Sequence, residues 1–201
     1  MIKIDHMRQE NDGYNWKCGI VCLAMVFKHY HIQCNQDEMW EILKQKRQTG
    51  INQYYTLTYL LAQYAISKGL NATIYKTDRE NCLSILDQLD ENLLLAILSV
   101  KEKKSGQSHF IVYCGKKDGK YCFSDPNKEK EIVKYDYDEV REIWKENPAI
   151  NVSGYVYIVF DNNCNTFSYT CTYCHKDYPV LMIKDEKISP VTICPYCDRG
   201  K

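Results

Sequence analysis

Four cysteines near the C-terminus constrain the fold of this chain more than any other feature. They form two Cys-x-x-Cys pairs with nineteen residues between them, Cys171 with Cys174 and Cys194 with Cys197. Each pair can place two thiolates on one side of a tight turn, and two such pairs close a tetrahedron around a zinc ion. We expect structural zinc rather than two redox dithiols, because a redox pair usually lies at a helix start beside a strand.

The segment that carries these pairs differs in composition from the rest of the chain. Residues 164–201 hold five of the eleven cysteines and few large aliphatic side chains. A segment this short with so small a core needs a cross-link, such as a bound metal, to fold. We therefore predict two domains, residues 1–163 and a zinc ribbon over residues 164–201. Strands at 180–183 and 187–193 are expected to form a hairpin that holds the two cysteine pairs together.

Helical periods precede strand patterns in the first domain, which is typical of an α+β fold with helices packed on an antiparallel sheet. The predicted helices lie at 18–30, 35–43 with Asn35 as its cap, 56–69 between a Thr56 cap and a Gly69 stop, 80–89 and 140–144. The predicted strands lie at 93–100, 109–114, 121–124, 131–135 and 155–160, with a tight turn at 117–120.

Charge and hydropathy exclude several classes of protein. Lysine and arginine together number 26, as do aspartate and glutamate, and a neutral chain makes nucleic acid an unlikely partner. Its apolar runs are too short to cross a membrane, and residues 1–8 lack the apolar stretch of a signal peptide. We expect a cytoplasmic protein without a disulfide framework, since its cysteine count is odd.

Cys18 opens a predicted helix, where the helix dipole and free N–H groups stabilise a thiolate. A nucleophilic cysteine also needs a base and a group that orients the base. His109 begins one strand of the predicted hairpin and Asp125 follows the other strand, so the two side chains can lie side by side. Each residue alone has a structural interpretation, and it is the set that favours catalysis.

The same residues resemble a known family. The segments Cys18-Gly-Ile-Val-Cys-Leu-Ala-Met, His109-Phe-Ile-Val-Tyr and Asp125-Pro resemble the bacteriocin-processing double-glycine leader peptidases, which are papain-like cysteine peptidases. Tyr14-Asn-Trp-Lys-Cys-Gly and the strand 155–161 are similar to a related group that carries the name guanylyl cyclase domain. The resemblance covers residues 5–161.

The resemblance implies a papain-like fold and a division of roles. Cys18 would attack a carbonyl, His109 would transfer the proton and Asp125 would orient His109. The Cys18 backbone N–H and an upstream side-chain amide would bind the oxyanion.

The sequence departs from the family at that upstream amide. The family has a glutamine six residues before the cysteine, where this chain has Asp12. Gln9 can take the role if residues 10–13 form a bulge, and Asn11 and Asn15 are the other candidate donors.

These features leave competing functions open. The leading hypothesis is a cysteine peptidase or isopeptidase that acts on a cytosolic peptide or protein. The alternative is a catalytically weak binding module of the same fold, whose zinc ribbon recruits a protein partner. Nucleotide cyclisation is a third hypothesis, but the sequence lacks the paired carboxylates and the Gly-rich phosphate loop that such a reaction needs.

The remaining candidates receive structural interpretations. Cys22 is assigned to the core, and His29 and His31 to the surface at the end of a helix. The run Lys101–Lys104 is expected to be a solvated loop, with the alternative of a lid, and His6 has no assigned role.

Overall fold

The structure is a computed structural model that describes residues 1–9, 16–46, 54–103, 105–147, 154–162, 166–181 and 190–197. The helices in these ranges are α1 (Cys18–His29), α2 (Gln36–Leu43), α3 (Thr58–Ser67), α4 (Cys82–Glu91) and α5 (Tyr137–Trp144). The strands are β1 (Gln45–Lys46), β2 (Tyr54–Tyr55), β3 (Asn71–Lys76), β4 (Leu95–Lys101), β5 (Ser108–Lys117), β6 (Lys120–Ser124), β7 (Val133–Tyr135), β8 (Val156–Asp161), β9 (Thr166–Thr170), β10 (Asp177–Leu181) and β11 (Val191–Ile193).

An antiparallel sheet of seven strands, in the order β11-β3-β8-β4-β5-β6-β7, organises the chain. Helices cover both of its faces, so its strands are apolar on both sides. Along β5, Phe110 and Val112 pack into the core beneath α1–α3, while Ile111 and Tyr113 pack into the core with α4 and α5. The predicted α+β class, helices on an antiparallel sheet, is confirmed.

Local sequence signals explain several element ends. The Asn35 side chain accepts hydrogen bonds from the backbone N–H groups of Asp37 and Glu38, which caps α2 as predicted. Gly69 has a φ of 83° just after α3, a conformation that costs glycine little. Asp118 and Gly119 both have positive φ and form the predicted tight turn between β5 and β6.

In the first half of the chain one prediction was wrong, and one strand was not predicted. Thr56 does not cap α3, because the helix begins at Thr58 with Leu57 in the capping position. The sequence analysis also missed β3, which lies between β11 and β8 in the sheet. Its run Ala-Thr-Ile-Tyr after the Gly69 stop is a β-rich signal, but a short one.

The predicted hairpin of the C-terminal segment was also wrong. β10 pairs with β9, whereas β11 pairs with β3 of the large sheet, from Val191 opposite Lys76 to Ile193 opposite Ile74. The Thr73 hydroxyl of β3 accepts a hydrogen bond from the Leu181 N–H, and the predicted turn at 184–187 lies outside the described residues. The domain boundary at 163–164 also lies outside them and stays a prediction.

Candidate active site

Cys18 is the first residue of α1, the helix that packs against β5. The preceding segment is held in place because the Trp16 N–H donates to the Tyr54 carbonyl over 3.1 Å. The first N–H groups of a helix have no partners within the helix, so they and the helix dipole favour negative charge on a side chain here. The side chain of Cys18 is buried, yet it lines a cleft of about 680 Å³.

Gly19 allows α1 to approach its neighbours closely at this point. A Cβ atom on Gly19 would lie 2.3 Å from Thr56 Oγ1 and 3.1 Å from side-chain atoms of Leu61 and Phe110. Because a longer side chain would push the helix start away from β5, the glycine after Cys18 fixes the depth at which the thiol lies.

His109 and Asp125 come together at the end of the β5–β6 pair. Ser124 is the last paired residue of β6 and lies opposite Val112, so Asp125 begins the loop beyond the sheet. Its Oδ1 lies 2.7 Å from His109 Nε2, and both side chains are almost fully buried. The same Oδ1 accepts the Asn127 N–H over 2.9 Å, which fixes the carboxylate in the turn.

The electrostatics of the pair favour a charged imidazole. Burial lowers the pKa of His109, but the negative charge of the Cys18 thiolate and the hydrogen bond to Asp125 outweigh burial and raise that pKa to about 10. Burial raises the pKa of Asp125, yet its hydrogen bond to His109 and the imidazolium charge bring it below its ordinary value. Cys18 and His109 line the same cleft, and the charge interaction between them favours the imidazolium. With Nε2 held by Asp125, Nδ1 is the ring nitrogen left for the thiol.

Gln9 lines the same cleft as Cys18 and His109. Its backbone N–H donates to the Pro126 carbonyl over 3.1 Å, and its side-chain Nε2 donates to Asn127 Oδ1. Gln9 therefore lies beside the loop that carries Asp125. The other candidate donors, Asn11 and Asn15, as well as Asp12 and the bulge expected at 10–13, lie outside the described residues.

An ion pair connects the two loops that border the cleft. Lys128 Nζ lies 3.3 Å from Glu102 Oε1, joining the loop after β6 to the β4–β5 hairpin. The hairpin is closed by the Glu102 N–H, which donates to the Gln107 carbonyl over 2.8 Å. Glu102, Ser105 and Gln107 of this hairpin line the cleft. Sequence reasoning missed both members of the ion pair, since neither motif nor period connects them.

The four C-terminal cysteines lie together. Their sulfur atoms are all within 4.8 Å of one another, with Cys171 Sγ 3.6 Å from Cys197 Sγ and Cys174 Sγ 3.7 Å from Cys194 Sγ. In each turn the first sulfur accepts a backbone N–H two residues on, from Tyr173 or from Tyr196, over 3.4 Å. Four thiols held in this way could bind a metal ion.

Comparison with protein families decides the identity of the larger part of the chain. The model of the family described as peptidase C39 matches residues 5–153. The chain belongs to the peptidase C39 family. It is therefore a cysteine peptidase of the double-glycine type, and the resemblance to the double-glycine leader peptidases is confirmed.

Solved structures of C39 peptidases share its fold. The peptidase domain of Streptococcus ComA is 18% identical, with a TM-score of 0.58, and the match covers 81% of this chain and all of that one. A double-glycine motif protease from an AMS/PCAT transporter, in complex with the leader peptide, is 18% identical, with a TM-score of 0.51 and coverage of 79% and 91%. A C39-like peptidase from Bacillus anthracis is 13% identical, with a TM-score of 0.55 and coverage of 79% and 98%. No curated protein matches the sequence.

The remaining sequence-predicted residues of this C39 peptidase fall as follows. Cys22 is fully buried, as predicted, and its thiol lies 3.3 Å from the Phe110 carbonyl. His29 ends α1 and His31 is exposed beyond it. Lys104 lies outside the described residues, and no helix within them is long and apolar enough to cross a membrane. His6, which had no assigned role, hydrogen-bonds on both sides of the Asp125 loop.

Proposed function

We propose that this C39 peptidase hydrolyses a peptide bond with Cys18 as nucleophile, His109 as acid and base, and Asp125 as the group that orients His109. The observation that carries the proposal is the buried His109–Asp125 hydrogen bond of 2.7 Å, beside the cleft that Cys18 and His109 both line. A nucleophile, a base in contact with it and a third group that orients the base are the requirements of covalent catalysis by a thiol.

The chemistry follows from the charges of these groups. The Cys18 thiolate attacks the carbonyl carbon and forms a tetrahedral intermediate, while His109 carries the proton. The imidazolium gives that proton to the leaving amine, the C–N bond breaks and a thioester remains on Cys18. Water then attacks the thioester and gives a proton to His109, the C–S bond breaks, and the acid product leaves with the Cys18 thiolate and the imidazolium restored.

Gln9 is proposed as the side-chain donor to the oxyanion, together with the Cys18 backbone N–H. Its position in the wall of the cleft supports this role. A primary amide has two N–H donors, and Asn127 engages one, so the second can face the developing negative charge.

The substrate is proposed to be a peptide or a segment of a cytosolic protein that enters the cleft in extended form. An open cleft of about 680 Å³ beside Cys18 has the size to accept several residues of a chain. The double-glycine protease of similar fold, whose structure contains the leader peptide, supports a peptide over a small molecule.

The cysteine cluster is proposed to hold one structural zinc ion. The residues fit the metal, because four thiolates with N–H···S bonds in both turns are the donor set that zinc prefers in closed structural sites. Zinc there would fasten residues 164–201 as a ribbon, which could serve as a surface for a protein partner. Zinc has no step in the proposed hydrolysis.

Peptide cleavage tests the proposal. The protein is incubated with a panel of peptides that contain a double-glycine sequence, and the products are measured by mass spectrometry. We expect cleavage by the wild type and by Cys34→Ala, which removes an exposed thiol, and none by Cys18→Ala. Cleavage that persists in Cys18→Ala would contradict the proposed nucleophile.

The substrate itself can be sought in the same way. An activity-based probe that labels reactive thiols in native lysate, with Cys18→Ala as the matched control, identifies conditions in which the site is accessible. Proteins whose cleavage products depend on Cys18 are then candidate substrates.

A further inference from the structure

Residues 6–9 are hydrogen-bonded to the loop of residues 124–128 that carries Asp125. Two of these bonds come from Gln9, which contacts Pro126 and Asn127 as described above. The other two come from the His6 ring: Nδ1 lies 2.7 Å from Ser124 Oγ, and Nε2 lies 3.0 Å from the Lys128 carbonyl oxygen. One side chain thus contacts the loop at both of its ends.

The chemistry of the two partners defines what each nitrogen does. A carbonyl oxygen can only accept, so the hydrogen of neutral His6 lies on Nε2 and is donated to Lys128. Nδ1 is then an acceptor for the Ser124 hydroxyl. The bond to Lys128 is the directional one, because the Ser124 hydroxyl can also turn towards Met25 Sδ at 3.2 Å.

The turn between these two contacts is the one that positions Asp125. Within it, the Lys128 N–H donates to the Asp125 carbonyl over 2.9 Å, and Asp125 Oδ1 accepts from Asn127 and contacts His109. Because the ring of His6 joins residue 124 to residue 128, it limits how far the turn can open and hence where the carboxylate lies.

His6 does not line the cleft itself. It lines a separate groove of about 580 Å³, formed with Met1, Asp5, Lys28 and Glu131 among others. Any effect of His6 on the reaction must therefore pass through the loop, and not through contact with the substrate.

We propose that His6 is a positioning residue of this C39 peptidase, holding the 124–128 turn so that Asp125 keeps its carboxylate on His109. The proposal rests on the proposed roles of Cys18, His109 and Asp125. Gln9 contacts Pro126 and Asn127 of the same turn, so by holding the turn His6 also holds the partners of Gln9 in place.

The pH dependence of Cys18 alkylation measures this role directly. If Asp125 stabilises the imidazolium and the imidazolium stabilises the thiolate, Asp125→Asn moves the onset of alkylation to higher pH. His6→Ala should move the onset in the same direction by a smaller amount, about half a pH unit, which corresponds to one weakened hydrogen bond. It should also lower kcat on a cleaved peptide about tenfold with little change in KM.

Conservative variants separate positioning from a general loss of stability. His6→Gln can still donate to the Lys128 carbonyl and should restore most of the wild-type onset and kcat. Ser124→Ala removes only the weaker contact and should have a small effect. His6→Phe keeps a ring in the same space without donating to the Lys128 carbonyl, so it should reproduce the shifted onset and lower kcat if His6→Ala does not fold. His29→Ala, which removes a histidine at the other end of α1, should behave as wild type.

The outcomes are distinguishable from failure of the proposed function. If Asp125→Asn leaves the alkylation onset unchanged, the proposed triad is wrong and the role of His6 falls with it. If Asp125→Asn shifts the onset but folded His6→Ala, or His6→Phe in its absence, shows the wild-type profile and kcat, only the His6 proposal is overturned. A lower thermal stability of His6→Ala with an unchanged profile counts against it in the same way.

Discussion

Two groups of thiols in this protein illustrate opposite uses of cysteine. Cys18 belongs to the large hydrophobic core beneath α1–α3 and lines a cleft together with His109, whereas the four C-terminal cysteines hold their sulfur atoms within 4.8 Å of one another. Among the described residues of the C-terminal segment, the local core has four buried members, Cys171, Tyr178, Val180 and Cys194. The comparison teaches that a large core can leave a thiol free to react, because the fold does not depend on it. A small core depends on its thiols for folding, because it buries too few other side chains.

The two regions meet at β3. This strand pairs with β8 on one side and with β11 on the other, and β11 leads directly into Cys194. The Gln63 side chain of α3 also donates to the Pro195 carbonyl within the second cysteine turn. The cysteine cluster is therefore attached to an edge of the peptidase sheet, and unfolding of the cluster should affect β3 first.

Removal of the metal should give the largest effect. Apparent zinc-binding free energies of small structural sites are about 10 to 16 kcal/mol at neutral pH, and that energy is folding energy. A chelator should unfold residues 164–201 and speed amide exchange in β3, while residues 1–160 stay folded. Hydrogen exchange with mass spectrometry checks both parts, and the wild type should carry one zinc ion per chain. A metal-free protein with an intact, protease-resistant C-terminal segment would contradict the proposal that this segment needs zinc to fold.

Replacement of the nucleophile should have the next largest effect, confined to the other region. Cys18→Ala should lower turnover by at least about 10⁴-fold, because the covalent step is lost. Its zinc content should match that of the wild type, since the Cys18 thiol is not part of the cysteine cluster. Steady-state kinetics and metal analysis on the same preparation make the comparison.

Loss of the proposed oxyanion donor should have an intermediate effect on turnover. Gln9→Ala should lower kcat by about 10²-fold, the typical cost of one such donor. Cys18 alkylation should be nearly unchanged, because that reaction forms no oxyanion. If turnover stays at the wild-type level, the donor is one of the amides at Asn11 and Asn15 or the backbone alone.

The pH dependence of stability should give the smallest effect. The pKa of His109 is raised from 6.5 to about 10 in the folded protein, so its contribution is full below pH 6.5 and is lost as the pH rises towards 10. Asp125 has a lowered pKa, so its contribution is present above pH 3.8 and is lost in stronger acid. The stability difference between wild type and His109→Gln should fall by at least about 1.4 kcal/mol between pH 6.5 and pH 9.5. Urea unfolding at the two pH values measures this stability difference. A difference that stays constant would contradict the raised pKa of His109.

Local patterns in the sequence predicted more of this molecule than non-local ones. The helix at Cys18, the cap at Asn35, the turn at 118–119 and the cysteine pairs are each encoded within a few residues. The pairing of β11 with β3 joins residues more than a hundred positions apart, and nothing in either short strand specifies the other. The contacts of His6 with residues 124 and 128 were not predicted for the same reason, since they also join distant positions.

Thr56 shows a second limit of such reasoning. As a threonine before an apolar helical period, it fits the capping pattern, yet its hydroxyl packs so closely against Gly19 that a Cβ on Gly19 would clash with it. The close packing of α1 decided its position, and packing between elements cannot be read from the local sequence.

Competitive alkylation at pH 6 to 7 tests the central claim most directly, that Cys18 is a thiolate stabilised by His109. At this pH an ordinary thiol, with a pKa near 8.5, is mostly protonated and reacts slowly. We expect Cys18 to be labelled faster than the other ten cysteines of the zinc-loaded protein, and more slowly in His109→Gln. If mass spectrometry shows Cys18 labelled no faster than a thiol in the unfolded chain, the account of the active site is contradicted.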